Sequence, residues 1–213
     1  MAPESITQDR IYNAIKADYQ EGLYRPGSRI DLQAIADRHR ASTTPVREAI
    51  HRLIGERLVE PHGEGGFQLA VPDAERLIHL YAWYCQQVLG ALHLLHEGAL
   101  TRALEPFRVS APAKGIHQQT ERVARVFEAI ANATKNLEIA HQIAAGNERL
   151  HYVRRAEGLL FPNIGRELLG LTRNGKLSGI PNLRRRITAY HDRRILHAGA
   201  IADALRRVGP DLP

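Results

Sequence analysis

The sequence contains little of the chemistry that marks secreted proteins, membrane proteins and most enzymes. Its 213 residues include one cysteine, Cys85, so no internal disulfide can form. No apolar run approaches the roughly 18 residues that a membrane span needs, and residues 1–9 carry no signal-peptide pattern. A nucleophile elbow, a phosphate-binding loop, a His-Glu-x-x-His motif and paired cysteine ligands are also absent. We therefore expect a cytoplasmic protein that has no membrane partner and is not an enzyme.

Positive charge is in excess, with a formal net charge of +6, but the excess lies in the C-terminal part of the chain. Residues 1–72 contain nine Lys and Arg against ten Asp and Glu, whereas residues 149–207 contain thirteen against four. A basic composition therefore does not by itself predict that the N-terminal part binds DNA. The basic C-terminal stretch could bind an anionic effector, attract DNA without sequence preference, or form a solvated helical face.

Three helical patterns and one alternating pattern follow each other in the N-terminal part. Apolar residues at helical spacing predict helices over 7–21 and 31–39, separated by an Arg-Pro-Gly turn at 25–27. A third helix is predicted to open at 41–45 and to end near Glu56; Pro45 suits its first turn, where no intrahelical N–H bond is lost. Phe67, Leu69 and Val71 then alternate with polar or small residues, which predicts a β-hairpin. This order is typical of a winged helix-turn-helix, whose third helix enters the major groove of DNA.

The period stays helical almost throughout from Asp73 onward. Helices are predicted over 74–98, 117–132, 135–145, 147–171 and 182–207, with breaks near 110–112 and 175–181. The predicted fold class is therefore mainly α. A winged helix-turn-helix of three helices and a β-hairpin wing occupies residues 1–72, and an all-α helical bundle domain occupies residues 73–213.

The third predicted helix has an apolar stripe from Val46 to Leu53, which turns its polar residues outward. An arginine near a helix N-terminus can pair with the O6 and N7 atoms of guanine, and we assign this role to Arg47. Hydroxyls and N-terminal amides can reach phosphate oxygens. The alternatives are that Arg47 only forms a salt bridge and that Thr44 only caps the helix. The DNA contacts predicted in and around helices two and three are Gln33, Arg38, Arg40, Ser42, Thr43, Thr44, Arg47 and His51.

Several motifs of the N-terminal part occur together in one known family. They are Gly-Leu-Tyr-Arg-Pro-Gly-Ser-Arg-Ile at 22–30, Ile-Ala at 35–36, Ser-Thr-Thr-Pro-Val-Arg-Glu-Ala-Ile-His-Arg-Leu at 42–53 and Gly-Gly-Phe at 65–67. With them, about residues 6–71 closely resemble the DNA-binding domain of GntR-family bacterial regulators. The family segment usually reads Ser-Arg-Thr-Pro-Val-Arg-Glu-Ala-Leu, so Thr43 stands at its first arginine and Arg47 at its second. The resemblance implies that one DNA contact is missing and that His62 and Gly63, which match a His-Gly pair of FadR-like members, contact DNA.

The C-terminal part resembles the FadR-like subfamily, whose all-helical domain dimerises and binds a small effector, often an organic acid. The resemblance rests on residues 136–150 and 190–203. Many such domains hold a divalent metal between one aspartate and three histidines. In this chain Leu137 stands at the aspartate position, Asp192 at the later histidine position, and the final histidine would lie at or beyond Pro213. We therefore expect neither a metal nor another cofactor.

The resemblance also places an effector pocket in the helical domain. Tyr84 stands at about the position of an arginine that grips carboxylate effectors in the subfamily, which favours a less acidic or more apolar ligand. The alternative is that such aromatic and histidine side chains are core or dimer-interface residues. The predicted effector-binding residues are Tyr84, His141, His191 and Asp192.

These features together predict a ligand-responsive bacterial transcriptional regulator. Its expected partners are a palindromic double-stranded DNA operator, a second copy of the chain in a homodimer, and a small organic metabolite as effector. Two alternatives remain open at this point: an architectural DNA-binding protein without an effector, and an enzyme that uses the histidines of the helical domain.

Overall fold

The computed structural model describes residues 3–109, 115–162, 164–172 and 179–208, which form two compact units. The N-terminal unit contains residues 3–71 and also takes in residues 206–208, and the C-terminal unit contains residues 72–205. No helix among the described residues combines the length and the apolar run that a bilayer crossing requires.

The N-terminal unit consists of three helices and a two-stranded hairpin, as the sequence predicts. Asp31 caps the second helix, because its carboxylate accepts hydrogen bonds from the backbone N–H groups of Gln33 and Ala34 at 2.9 and 3.1 Å. The hairpin is antiparallel, with Val59 opposite Leu69. The elements are α1 (Pro3–Glu21), α2 (Leu32–Arg38), α3 (Thr43–Gly55), β1 (Val59–Pro61) and β2 (Phe67–Leu69).

The core of the N-terminal unit lies between α1 and α3. Ile11 and Ile15 on α1 and Val46 and Ile50 on α3 are each at most 2% exposed, and the two helices pack against each other. Burial of these side chains supplies the main stabilisation of a unit this small. It also fixes the rotation of α3 about its axis, and therefore decides which of its residues face solvent.

The C-terminal unit contains helices only, within the residues that the structure describes. α4 packs along α10 and also contacts α6, α7 and α11. Its buried face repeats at helical spacing, with Leu77, Tyr81, Tyr84 and Val88 all at 0% exposure. The helices are α4 (Ala74–His93), α5 (Glu97–Val109), α6 (Gly115–Ala133), α7 (Leu137–Arg149), α8 (His151–Leu160), α9 (Ile164–Thr172), α10 (Ile180–Leu196) and α11 (Ala198–Leu205).

In the C-terminal unit two predicted helices were wrong and one helix was missed. α5 was not predicted, since Gly98 and the internal Pro106 weaken its helical signal. The helix predicted over 147–171 is instead the end of α7 followed by α8 and α9, and Phe161 between the last two has an extended backbone (φ −110°, ψ 93°). The helix predicted over 182–207 likewise divides at His197. The break predicted at 110–112 and positions 175–178 of the second break lie outside the described residues.

Gly146 lets α7 approach α4 closely. A Cβ atom at this position would overlap the ring of Tyr84 and lie 3.2 Å from Cζ3 of Trp83. Because no side chain intervenes, the neighbouring Asn147 reaches the Tyr84 hydroxyl group, which donates a hydrogen bond of 2.5 Å to Asn147 Oδ1.

We expect Gly146→Ala to lower the free energy of unfolding by about 1–3 kcal/mol, because the added methyl group displaces the Tyr84 ring in a packed interior. The matched control is Gly90→Ala on α4, where a Cβ would meet no heavy atom within 4 Å. The free energy of unfolding of Gly90→Ala should rise by up to about 1 kcal/mol, because alanine has a higher helix propensity than glycine. Urea unfolding followed by the fluorescence of Trp83, the one tryptophan of the chain, measures both. Equal stability of the two variants would contradict the close approach.

Candidate functional site

The residues predicted to contact DNA all lie at or near the surface of the N-terminal unit. Thr43 and His62 are half-buried, and none of the set belongs to the core. The exposed members are Gln33, Arg38, Arg40, Ser42, Thr44, Arg47, His51 and Gly63.

Arg47 projects from the face of α3 that is opposite to the core. The inward residues Val46, Ala49 and Ile50 are at most 2% exposed, whereas Arg47 is exposed. Its guanidinium has neither a hydrogen-bond nor an ion-pair partner among the described residues. The alternative that Arg47 only forms a salt bridge therefore has no support within this part of the chain, and its donors are available to an external acceptor.

Two neighbouring arginines have structural partners instead. Arg38 Nη1 lies 3.1 Å from Asp18 Oδ2, and His39 Nε2 lies 2.8 Å from the same oxygen. Arg52 Nη1 donates to Asp9 Oδ1 at 2.7 Å, and its guanidinium stacks over the Tyr12 ring. These contacts tie α2 and α3 to α1.

Arg40 differs from both of these arginines. It has a left-handed backbone (φ +50°), and its guanidinium has no partner within the described residues. The guanidinium groups of Arg40 and Arg47 are therefore available to DNA without the loss of a contact within the described residues.

The N-terminus of α3 offers hydroxyl and backbone donors to solvent. Ser42 occupies the N-cap position, but its side chain makes no capping hydrogen bond, and Thr44 is exposed in the first turn. Thr44 therefore does not cap the helix. The free N–H groups and hydroxyls of this turn form the kind of surface that binds phosphate oxygens.

The hairpin wing is joined to α3 by an aromatic contact. The His51 ring packs edge-on against Phe67, with 5.5 Å between ring centroids. The wing turns through Gly65 and Gly66, whose φ angles of +89° and +86° favour glycine. At its tip, His62 Nδ1 accepts a hydrogen bond of 3.2 Å from the Glu64 backbone N–H.

Arg29 is a candidate that the sequence analysis did not single out. A Cβ atom on Gly66 would lie 3.2 Å from Arg29 Nε, so this exposed guanidinium runs beside the wing. An isolated bridge between Arg29 and Gln68 holds its backbone there. Because Arg29 lies in neither a helical nor an alternating pattern, only the family-like motif at 22–30 could have pointed to it.

The C-terminal unit brings together two of the four predicted effector residues. Tyr84 and His191 are buried, with 5.9 Å between their ring centroids, and both rings contact Phe127. His141 and Asp192 are exposed and do not join them. α7 turns His141 outward and α10 turns Asp192 outward, so effector binding by these two residues remains a prediction.

A buried carboxylate organises the neighbouring part of the interior. Glu157 on α8 is 0% exposed and accepts hydrogen bonds from Tyr81 Oη at 2.6 Å and from Arg194 Nε at 2.9 Å. Arg194 also donates through Nη1 to Glu167 Oε1 at 2.8 Å. Burial, followed by the charge of Glu157, raises the pKa of Tyr81. Two ion pairs and the Tyr190 carbonyl oxygen thus occupy Nε and Nη1 of Arg194, while Nη2 has no hydrogen-bond partner among the described residues.

A second buried arginine, Arg154, has a different environment. It is 2% exposed, and its Nη1 donates to Asn147 Oδ1 at 2.9 Å. Its Nε and Nη2 atoms have no hydrogen-bond partner among the described residues. The sequence analysis did not predict that Arg154 is buried, because the charged Arg155 and Glu157 interrupt the apolar pattern around it.

His191 also has one ring nitrogen without a hydrogen-bond partner among the described residues. Its Nδ1 lies 2.7 Å from the Ile187 carbonyl oxygen and donates to it, while Nε2 has no partner within the described part of the chain. Burial, and then the charges of Arg154 and Arg194, lower the pKa of His191 to about 3. His191 is therefore neutral in the folded protein at physiological pH.

The residues present do not fit the metal site of FadR-like proteins. Leu137 cannot ligate a cation, and it is 73% exposed. His141 and Asp192 also face solvent. Among the described residues, no three His, Cys, Asp or Glu side chains are grouped so that they could hold a metal ion.

Comparison with known proteins identifies the N-terminal unit. Residues 7–69 match the profile of the bacterial regulatory proteins of the gntR family. Over 77 residues the chain is 26% identical to the HTH-type transcriptional repressor GlaR of Escherichia coli, a match that covers 36% of this chain and only 35% of that curated relative. Residues 7–69 therefore match a GntR-type DNA-binding domain, as predicted.

Two solved structures share the fold over most of the chain. The putative transcriptional regulator GntR from Rhodococcus sp. RHA1 has a TM-score of 0.66 at 16% identity, over 90% of this chain and 96% of that chain. McbR/YncC of E. coli has a TM-score of 0.63 at 20% identity, over 93% and 98%. These similarities show the fold, and they confirm the predicted class of a winged helix-turn-helix followed by a helical domain.

The low pKa of His191 predicts a specific pH dependence of stability. In the unfolded chain the imidazole titrates near its ordinary value of 6.5, whereas in the folded protein it titrates at about 3. Between these values the unfolded state holds more protons, so stability falls as the pH decreases. From pH 7 to pH 5 this histidine should account for a loss of about 2 kcal/mol.

Urea unfolding of the wild type and of His191→Gln at pH 7 and pH 5 measures this contribution. Between pH 7 and pH 5 the free energy of unfolding should fall by about 2 kcal/mol less in the variant than in the wild type. An identical pH dependence of the two proteins would show that His191 is not held neutral in the folded state.

Proposed function

We propose that this chain, whose residues 7–69 form a GntR-type DNA-binding domain, is a ligand-responsive bacterial transcriptional regulator. It binds a palindromic operator as a homodimer and places α3 of each protomer in one of two successive major grooves. The observation that carries the proposal is the exposed, unpaired guanidinium of Arg47 on the outer face of α3.

Sequence reading is assigned to the outer face of α3. Arg47 pairs with guanine O6 and N7, and His51 lies one helical turn further along the same face. The remaining predicted contacts bind the DNA backbone. At the N-terminus of α3, hydroxyl groups donate hydrogen bonds to phosphate oxygens from Ser42, Thr43 and Thr44. On or just after α2 lie Gln33, Arg38 and Arg40, and at the wing tip lie His62 and Gly63.

The C-terminal unit is assigned to dimerisation and effector binding, as in FadR-like regulators. Support comes from its all-helical fold and from the unfilled polar positions in its interior. Contact with a small organic metabolite is assigned to Tyr84 and His191, whose buried rings lie 5.9 Å apart. Effector binding changes operator affinity only if the effector prefers one arrangement of the dimer over the other.

The distribution of charge favours sequence reading over an architectural role. A DNA-wrapping protein needs an extended basic surface, because its affinity comes from phosphate contacts. Residues 1–72 instead contain ten acidic and nine basic residues. A nearly neutral unit that exposes an unpaired arginine on one helix is suited to a discrete site.

Arg47→Ala should reduce discrimination between the operator and unrelated DNA by about 1–3 kcal/mol, because a bidentate contact with guanine is lost. The comparison variant is Arg40→Gln, which removes a phosphate contact. It should weaken binding to all sequences equally and reduce the salt dependence by about one counterion.

Gel-shift titrations at several salt concentrations separate these two effects. They use a duplex that the wild-type protein selects and a scrambled duplex of the same length. Unchanged selectivity of Arg47→Ala would refute the reading role of this residue. Loss of selectivity in Arg40→Gln would show that base reading has been assigned to the wrong arginine.

A further inference from the structure

A cavity of about 160 Å³ lies in the N-terminal unit, between the segment 24–31, α2 and β2. None of its lining residues belongs to α3. The floor of the cavity is apolar, and its members are each at most 8% exposed: Ile30, Ile35 and Leu69. A charged group that enters the cavity is therefore partly removed from water, which strengthens its interaction with the charges that line it.

The lining carries more positive than negative charge. Three arginines line the cavity, Arg25, Arg29 and Arg38, against the one carboxylate of Asp31. Arg38 forms an ion pair with Asp18 at 3.1 Å, whereas Asp31 caps α2 and forms no ion pair within the described residues. The side chains of Arg25 and Arg29 are exposed and have neither a hydrogen-bond nor an ion-pair partner in the described part of the chain. Two guanidinium groups at the cavity are therefore available to an external anion.

Phosphate is the anion that this set of donors fits. Each guanidinium presents paired N–H donors that match two phosphate oxygens, and the exposed Ser28 adds a hydroxyl group to the lining. A carboxylate has only two oxygens and a single negative charge, so it would leave part of the set unused. The cavity is also smaller than the roughly 300–1,000 Å³ of sites that enclose drug-sized ligands, which favours a phosphate group over a whole cofactor.

We propose that Arg25 and Arg29, together with the Ser28 hydroxyl group, bind a phosphate group in this cavity. The phosphate belongs either to the DNA backbone or to a free phosphorylated metabolite, because both present the same tetrahedral arrangement of oxygens. Arg29 lies beside the wing, since a Cβ atom on Gly66 would be 3.2 Å from its Nε, and DNA that contacts the wing therefore passes close to it. The site goes beyond the proposed function, in which none of the three binding residues has a role.

The first experiment titrates the full-length protein with pyrophosphate and with acetate by isothermal titration calorimetry at constant ionic strength. The variants are Arg25→Gln and Arg29→Gln, which remove a charge without breaking a contact of the described residues. The matched control is Arg57→Gln, because Arg57 is also exposed and unpaired within this part of the chain but lies outside the cavity.

If the ligand is a free phosphorylated metabolite, the wild type binds pyrophosphate more tightly than acetate. The Kd for pyrophosphate should then rise at least about tenfold in both cavity variants, because each loses charge-assisted hydrogen bonds, and it should stay at the wild-type value in Arg57→Gln.

Gel-shift titrations with a scrambled duplex at several salt concentrations test the DNA backbone as the source. If the cavity holds a DNA phosphate, Arg25→Gln and Arg29→Gln each reduce the salt dependence of binding by about one counterion, and Arg57→Gln does not. A weakened pyrophosphate affinity with an unchanged salt dependence identifies the free metabolite instead. The proposal fails if both cavity variants keep the wild-type pyrophosphate affinity and salt dependence, or if Arg57→Gln changes either quantity as much as they do.

Ala34→Glu tests the cavity without removing either arginine. Ala34 is an exposed lining residue on α2, so the added carboxylate repels a phosphate group there. The variant should weaken whichever interaction the arginine variants weaken, whereas Ala34→Gln, which adds a side chain of the same length without charge, should weaken it less. Equal effects of the two substitutions would contradict phosphate binding in this cavity.

The phosphate site and the proposed function fail separately, because neither pyrophosphate nor a scrambled duplex contains an operator. A protein that selects no DNA sequence would end the proposed function and leave the phosphate site intact. Variants at positions 25 and 29 that change nothing would end the phosphate site and leave base reading by Arg47 intact.

Discussion

The packing of α3 against α1 is the constraint on which the DNA-binding surface depends. Val46, Ala49, Ile50 and Leu53 are each at most 3% exposed and can be buried together in only one rotation of the helix. That rotation turns Arg47 outward. Asp18 and Asp9 on α1 form ion pairs with Arg38 and Arg52. These two arginines therefore help to hold α2 and α3 against α1, whereas Arg47 forms no such contact.

The sequence was sufficient for the N-terminal unit because its signals are local. The apolar spacing of each helix, the N-cap Asp31 and the turn glycines each act within a few residues, and they agree with one another. The predicted DNA contacts on α3 follow from the same periodicity, because the apolar stripe that packs into the core leaves the opposite face of the helix exposed to solvent. The start of α1, at Pro3 instead of Thr7, shows how weakly such patterns define the end of a helix.

The interior of the C-terminal unit could not be predicted in this way because its contacts join distant parts of the chain. Tyr81 and Glu157 are 76 residues apart, and Tyr84 and Asn147 are 63 apart. No local pattern distinguishes Arg154, in the buried interior, from the exposed Arg185. Buried ion networks contribute little net stability but penalise the loss of any one partner, which makes such an interior responsive to an added or missing charge.

The central claim is that the outer face of α3 reads bases in the major groove. Selection of the full-length protein against a random duplex library, followed by dimethyl sulfate protection of the selected DNA, tests it directly. The account predicts an inverted repeat with about one helical turn between half-site centres, and protection of a guanine N7 in each half-site. An unenriched library, or a selected sequence whose major-groove guanines all remain reactive, would contradict it.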